Sequence, residues 1–321
     1  MKKTLLLLSL LLSALLLSSC FYSPAGNGGY DPITGIQGRT VTFVIDGERQ
    51  TRTFDANSEI IYPSLPEKEN YIFDGWFFDE EGTRPASLGS SLSSKVTLYA
   101  CWRYDYENAI NEIFDTHIKA AVRINVNHKK TEFGFTLATQ KVSGSGVIFR
   151  EDSKVYYALT NYHVIESMSG YNSKEVVVYD CYGNQHYASI EAADPAYDLA
   201  ILRISKGKEP LAVLPLATEE AKSDDVVVAI GTPDGLENTV TFGNVTKIAE
   251  LSRTDDTGNL GFPVIWHDAP INHGSSGGAL LNGNFEIVGI NYAVGTSPSS
   301  GEFLCGLAVG IDKINEFLSK Q

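Results

Sequence analysis

A mainly β protein, with a pair of barrels following a smaller β unit, is what the amino-acid sequence predicts, and three observations carry that expectation. Short β-branched runs recur from Val122 to Val309 with Gly and Asn between them, the pattern of antiparallel strands that close on themselves. Aromatic strand-like runs lie ahead of them between Val41 and Trp102, set apart by one stretch of helical periodicity. The 321 residues are 43% hydrophobic and 20% charged, ordinary for a chain with more than one folded core.

Residues 1–19 open with Lys2 and Lys3, continue through a leucine-rich run from Leu5 to Leu17 and end in small residues, the layout of a secretory signal and too short for a membrane span. Leu17-Ser18-Ser19-Cys20 resembles the lipobox of bacterial lipoproteins. That resemblance implies acylation of Cys20, which would tether the protein to a membrane outside the cytoplasm at about 0.8 kcal/mol per buried methylene. Residues 20–38 are rich in Gly, Pro, Asn and Ser without apolar periodicity and read as a flexible tether.

From residue 39 to 104 the texture changes. Val41 to Ile45, the turn Asp46-Gly47 and Thr51 to Phe54 predict a hairpin, and Tyr71 to Phe77 and Val96 to Trp102 predict two aromatic strands. Tyr71-x-Phe73-x-Gly75-Trp76 and Leu98-Tyr99-Ala100-x-Trp102 resemble the Listeria-Bacteroides repeat of internalin-like surface proteins. The resemblance implies a β-grasp-like fold used as a spacer or adhesive module, with a possible envelope or surface partner. The aromatics themselves are expected to be the core of a small unit poor in aliphatic area.

Residues 105–121 place Ala109, Ile110, Ile113, Phe114 and Ile118 at helical spacing, which predicts a connecting helix. Residues 122–321 form the barrel pair. Its first strands are expected at Val122 to Val126, Gly146 to Phe149, Tyr156 to Thr160, Val176 to Tyr179 and Leu199 to Ile204. The second set is expected at Val226 to Ile230, Thr239 to Ile248, Val264 to His267, Gly278 to Leu281, Ile287 to Tyr292 and Gly306 to Val309. A closing helix is expected from Ile311 to Ser319, with Ile314, Phe317 and Leu318 on one side.

Gly274-Ser275-Ser276-Gly277-Gly278, taken with His163 and Asp198, supplies a hydroxyl, an imidazole and a carboxylate. A serine hydroxyl attacks a peptide carbonyl at neutral pH only when a base removes its proton, and the base needs a carboxylate to hold its tautomer. Glycines around Ser276 let backbone N–H groups converge on one point and stabilise a developing oxyanion. The arrangement predicts peptide hydrolysis.

Five segments stand in order: Gly144-Ser145-Gly146-Val147-Ile148, Leu159 to Val164, Asp198 to Leu202, Ile230-Gly231-Thr232-Pro233 and Gly274 to Gly278. Over residues 120–319 they resemble the HtrA/Deg group of trypsin-like, chymotrypsin-fold serine proteases. That resemblance implies a double β-barrel with the site between the barrels, Ser276 as nucleophile, His163 as general base and Asp198 as its orienting carboxylate. It also implies an oxyanion hole made by the backbone N–H groups of Gly274 and Ser276. The order His, Asp, Ser is that of this fold. Members often continue into PDZ modules; here only a short helix is expected after Val309, so no such module is expected, and the oligomeric state is left open.

Pro270 and Ile271 stand six and five residues before Ser276, where no carboxylate is available for a basic side chain. With Ile290 and Ala293 on the later wall strand, Ile271 is expected to line a pocket for small or medium aliphatic residues. Apolar pockets discriminate by only about 1 to 3 kcal/mol per methylene, so broad cleavage of unfolded or exposed proteins follows. Two rival readings stand beside this one. The first is a surface binding protein that uses the protease fold as a scaffold. The second is a glutamyl-endopeptidase-like enzyme with His273 or His267 beside a substrate carboxylate.

The formal net charge of −14 argues against nucleic acid as a partner. Cys101, Cys181 and Cys305 are scattered, follow no zinc spacing and are expected to be small core residues rather than a disulfide framework. His117, His128 and His186 lack ligand spacing. The sequence implies neither a metal nor a cofactor.

Overall fold

The computed structural model describes residues 39–55, 58–86, 95–232, 239–251 and 259–321. The leader, the tether with Cys20, and Pro233 lie outside them. Among the described residues no helix is long and apolar enough to cross a membrane.

The first unit is a four-stranded sheet of β1 (Arg39–Ile45), β2 (Glu48–Phe54), β3 (Tyr71–Phe77) and β4 (Lys95–Tyr104), in the order β2-β1-β4-β3. β1 and β2 form the expected hairpin, with Asp46 and Gly47 both at positive φ in the turn, whereas β1 and β4 run parallel. Val41, Phe43 and Leu98 are fully buried at the centre. Phe43 meets Trp76 edge-on at 5.1 Å and Tyr62 at 5.7 Å. Rings supply the apolar area that so small a sheet cannot gather from aliphatic side chains.

α1 (Tyr106–Asp115) is capped by Asp105, whose side chain accepts the Asn108 N–H, and is followed by one 3₁₀ turn, His117–Ala120. The expected helix to residue 121 is therefore shorter. Thr116, a β-branched residue at φ −127°, breaks it, and Ala121 already belongs to the first barrel strand. Ala109 and Ile113 are fully buried in the same core as the barrels. The sheet unit touches that core too. Asn70 Nδ2 and the Tyr104 hydroxyl both donate to the Gly283 carbonyl at 3.2 Å, and Tyr106 packs edge-on against Phe242.

The first barrel is closed by β5 (Ala121–Glu132), β6 (Phe135–Glu151), β7 (Val155–Thr160), β8 (Ser173–Tyr179), β9 (Gln185–Asp194) and β10 (Leu199–Ser205), in the order β10-β7-β6-β5-β8-β9. Between β7 and β8 lies the single helical turn α2 (Tyr162–Ile165). The second barrel comprises β11 (Val226–Gly231), β12 (Thr239–Ala249), β13 (Val264–His267), β14 (Ala279–Asn282), β15 (Ile287–Thr296) and β16 (Phe303–Gly310), in the order β11-β12-β13-β16-β15-β14. α3 (Ile311–Leu318) packs Ile311, Ile314 and Phe317 onto the barrel core.

β9 has no counterpart in the sequence reading. Its composition is mixed and its apolar alternation weak; pairing with β10 along six positions makes it a strand. β5 and β6 are also longer than expected, because the polar segment from Asn127 to Val142 continues their ladder as an exposed hairpin.

Because Ile113 is fully buried while Phe114 is half exposed, truncation should separate the two faces of α1. Ile113→Ala is expected to lower unfolding free energy by about 2 to 5 kcal/mol and Phe114→Ala by less than about 1, measured by urea denaturation; equal losses would deny α1 its place in the core.

Candidate active site

Asp198 sits at φ 52°, in the left-handed region, at the end of the Pro195 to Asp198 turn that joins β9 to β10. Asp tolerates this conformation better than most residues, and it turns the carboxylate back toward α2 just before β10 begins. One oxygen, Oδ1, accepts the backbone N–H of His163 at 2.9 Å, and Oδ2 meets its ring Nδ1 at 2.8 Å. The Asp198 carbonyl accepts Asn161 Nδ2 at 2.9 Å and the Tyr162 N–H at 3.1 Å. The carboxylate is almost fully buried and the imidazole half exposed. A carboxylate only accepts, so Nδ1 carries the proton and Nε2 presents its lone pair outward.

Ser276 lies on the turn between β13 and β14, on the other barrel. The turn is held peptide by peptide. Across the 274–275 peptide, Gly274 O accepts the Ser145 hydroxyl at 2.7 Å and Ser275 N–H donates to Asn272 O at 3.0 Å. Ser275 O accepts the Gly278 N–H at 2.9 Å. Ser276 O accepts the Ser145 N–H at 2.7 Å, and Gly277 N–H donates to Asn291 O at 2.8 Å. Because C=O and N–H point oppositely across a trans peptide, the bond at Ser275 O directs the Ser276 N–H the other way. Among the described residues, neither the Ser276 N–H nor the Gly274 N–H donates a hydrogen bond, and Gly274 stands at φ 92°.

The two barrels meet at this turn. An added Cβ on Gly144 would press on the Val164 side chain, next to His163, and on Ser276 O. One on Gly277, at φ 87°, would collide with Ser145 O and Thr160 Oγ1. His163 and Asp198 are thus joined directly, and Ser276 is packed beside their element through Gly144 and Ser145. The Ser276 hydroxyl itself donates to Tyr292 O at 3.3 Å, not to the imidazole.

Beside the turn is a narrow, shallow cleft lined by Pro270, Ile271, Ser275, Asn291, Thr241 and the end of β11. Of the pocket residues expected from sequence, Ile271 lines it. Ile290 does not. It is fully buried, paired with Ala279 and Val309 inside the barrel, because the two-residue alternation of β15 sends residue 290 to the core and Asn291 to the cleft side. Ala293 is half-buried farther along the same strand and is likewise absent from the cleft lining.

Asn291, unremarked in the sequence reading, closes the cleft floor. Its Nδ2 donates to Ala279 O at 3.1 Å, leaving Oδ1 to accept His267 Nε2 at 3.0 Å. Burial pulls the His267 pKa down to about 4, so this ring is neutral. His273 is solvent-exposed on the turn. Cys101, Cys181 and Cys305 are free and half-buried rather than sealed in the core, and burial raises each thiol's pKa. Among the described residues no group of three or more His, Cys, Asp or Glu side chains could hold a metal ion.

Two closed six-stranded barrels with this site at their junction define a trypsin-like peptidase, and residues 144–290 match the model of the trypsin-like peptidase domain. Residues 40–101 match that of the Listeria-Bacteroides repeat domain. The serine endoprotease DegS of Haemophilus influenzae is 37% identical over 248 residues, covering 73% of this chain and 69% of that protein. The serine protease Do-like HtrA of Bacillus subtilis is 38% identical over 156 residues, 48% of this chain and 34% of its own length. A probable periplasmic DegP-like endoprotease of Buchnera aphidicola is 34% identical over 178 residues, 55% of this chain and 36% of its own. The chain thus spans about a third of the length of these last two relatives. Among solved structures, the HtrA-type protease AlgW with tripeptide aligns at a TM-score of 0.50 and 28% identity, covering 66% of this chain and 62% of that one. The chain belongs to the HtrA/Deg family of serine proteases.

The His267 environment makes stability depend on pH with a definite sign. Its folded pKa lies below the ordinary 6.5, so between these values the unfolded chain binds a proton the native one does not, and stability falls as pH drops from 6.5 toward 4. Relative to His267→Gln, the wild-type unfolding free energy should decline by about 1.4 kcal/mol per pH unit across that window, measured by denaturant titration; a pH-independent difference would mean the ring is not held neutral.

Proposed function

We propose that the chain is an extracytoplasmic serine endopeptidase in which Ser276 attacks, His163 accepts its proton and Asp198 holds the imidazole. The observation that carries this reading is the double grip of Asp198 on the backbone and ring of His163, which leaves Nε2 as a base at the barrel junction where Ser276 lies.

In the reaction, the Ser276 hydroxyl leaves Tyr292 O by rotation about its Cα–Cβ bond and hydrogen-bonds to His163 Nε2. Its oxygen attacks the scissile carbonyl as its proton passes to the imidazole. The buried carboxylate stabilises the imidazolium, and the Ser276 and Gly274 N–H groups stabilise the oxyanion. Collapse expels the amine, which takes the proton from His163. Water then repeats the sequence on the acyl-enzyme and restores the hydroxyl.

A narrow cleft with Ile271, Pro270 and Ile230 in its lining supports small or medium aliphatic side chains at the cleavage site, and protein substrates that present extended segments. A neutral, sealed His267 offers no positive charge to a substrate carboxylate, which weighs against the glutamyl-directed alternative. A binding scaffold would have no use for an imidazole held in one tautomer. Relatives named as periplasmic endoproteases and the leader with Cys20 support a location outside the cytoplasm, with lipid attachment to the membrane. The repeat unit is proposed to face an envelope or surface partner.

A fluorophosphonate probe and casein as substrate test the reading together. Wild-type protein should be labelled and should degrade unfolded casein. Ser276→Ala should lose both, and Asp198→Asn should lower kcat about 10⁴-fold through the wrong tautomer. Undiminished casein cleavage by Ser276→Ala would remove the hydroxyl from the mechanism.

A further inference from the structure

Ser145, on the first barrel, touches the nucleophile turn of the second barrel through both of its donors. Its N–H donates to Ser276 O at 2.7 Å and its hydroxyl to Gly274 O at 2.7 Å. The side chain is fully buried. The same hydroxyl oxygen accepts the Thr232 N–H at 2.9 Å and lies 3.0 Å from Thr232 Oγ1. A hydroxyl has one hydrogen and two lone pairs, and a carbonyl only accepts. The hydrogen of Ser145 is assigned to Gly274 O, its shortest contact, while the Thr232 N–H donates to Ser145 and the Thr232 hydroxyl shares its hydrogen between Ser145 Oγ at 3.0 Å and Gly144 O at 3.5 Å. The Ser145 carbonyl is also occupied, accepting Thr160 Oγ1 at 2.7 Å. Every polar group of this residue is used, and none faces solvent.

We propose that Ser145 is a positioning residue for the oxyanion site, its hydroxyl setting the Gly274–Ser275 peptide so that the adjacent N–H groups are presented to the reacting carbonyl. The inference rests on the reading of Ser276 as nucleophile. Glycine at 274 makes such a restraint necessary, since without a Cβ its φ and ψ are otherwise weakly confined. The backbone bond from Ser145 to Ser276 O holds the turn's far side whatever the side chain at 145 is. On the near side the hydroxyl holds the carbonyl end of the Gly274–Ser275 peptide, while its N–H end is held by Asn272 O at 3.0 Å. Removal of the hydroxyl leaves the fold's ladder intact and the peptide tethered at one end only, so that the Gly274 carbonyl can tilt and carry donors away from the position the oxyanion occupies. Donors of this kind stabilise the transition state more than the bound substrate.

The test compares Ser145→Ala with Thr232→Val, which perturbs the same buried cluster but leaves the bond to Gly274 O. Ser145→Ala should lower kcat about 10- to 100-fold with KM little changed, and should weaken inhibition by a peptide boronate, which forms a tetrahedral adduct, by a similar factor. Substrate binding to Ser276→Ala should be unaffected when Ser145→Ala is added. Thr232→Val should keep kcat within about twofold. Should Ser145→Ala fail to fold, Ser145→Cys, close in shape but a weaker donor, should show the same kcat loss. Wild-type kcat in a folded Ser145→Ala or Ser145→Cys, or equal losses in Thr232→Val, would overturn the proposal while fluorophosphonate labelling of the wild type left the nucleophile reading standing. Absence of labelling in the wild type, with Ser276→Ala still active, would overturn both.

Discussion

The contact on which this structure depends is the seam where the Gly144 to Gly146 segment of one barrel meets the Gly274 to Gly278 turn of the other. Closed barrels have no free edges to pair, so the two cannot join by extending a sheet. They join through a few short-range bonds to backbone carbonyls, in a space so tight that Gly144 and Gly277 have no room for a side chain. The proposed chemistry sits at this seam, where β7 with α2, β10 and the β13–β14 turn converge.

Within the seam the polar groups are arranged by function. Asp198 is buried but fully satisfied, with its oxygens shared between the backbone and ring of His163, so the charge is stabilised by donors rather than by solvent. Ser276 has the opposite character: a hydroxyl held by one long bond to Tyr292 O and an N–H that its neighbours orient but do not occupy. In the proposed reaction, a rigidly held imidazole beside an adaptable hydroxyl suits a site whose hydroxyl changes partners during each turnover.

The repeat unit is more than an appendage in sequence order. Tyr104 and Asn70 converge on Gly283, in the turn after β14, and α1 gives Ala109 and Ile113 to the barrel core. Tyr106 reaches Phe242 on β12, next to Thr241 in the lining of the cleft. Tyr104 of the sheet unit lies against the same ring at 6.5 Å, so the junction of the sheet unit with α1 is one residue along β12 from the cleft lining of the proposed reaction.

The sequence by itself determined the strand-rich class and the aromatic core of the repeat unit, and it singled out His163, Asp198 and Ser276, the residues of the proposed reaction, because strands, turns and nucleophile motifs are written in local patterns. It missed β9, whose weak alternation becomes a strand only when β10 supplies its hydrogen bonds. It placed Ile290 in the pocket, although hydrophobicity cannot say which face of β15 turns inward. The tertiary structure alone decided that Asn291 floors the cleft, that His267 is sealed and neutral, and that Ser145 reaches across to Gly274. These are contacts between residues 24 to 129 positions apart, and such pairings come from how two barrels close and meet, which no short window of sequence encodes.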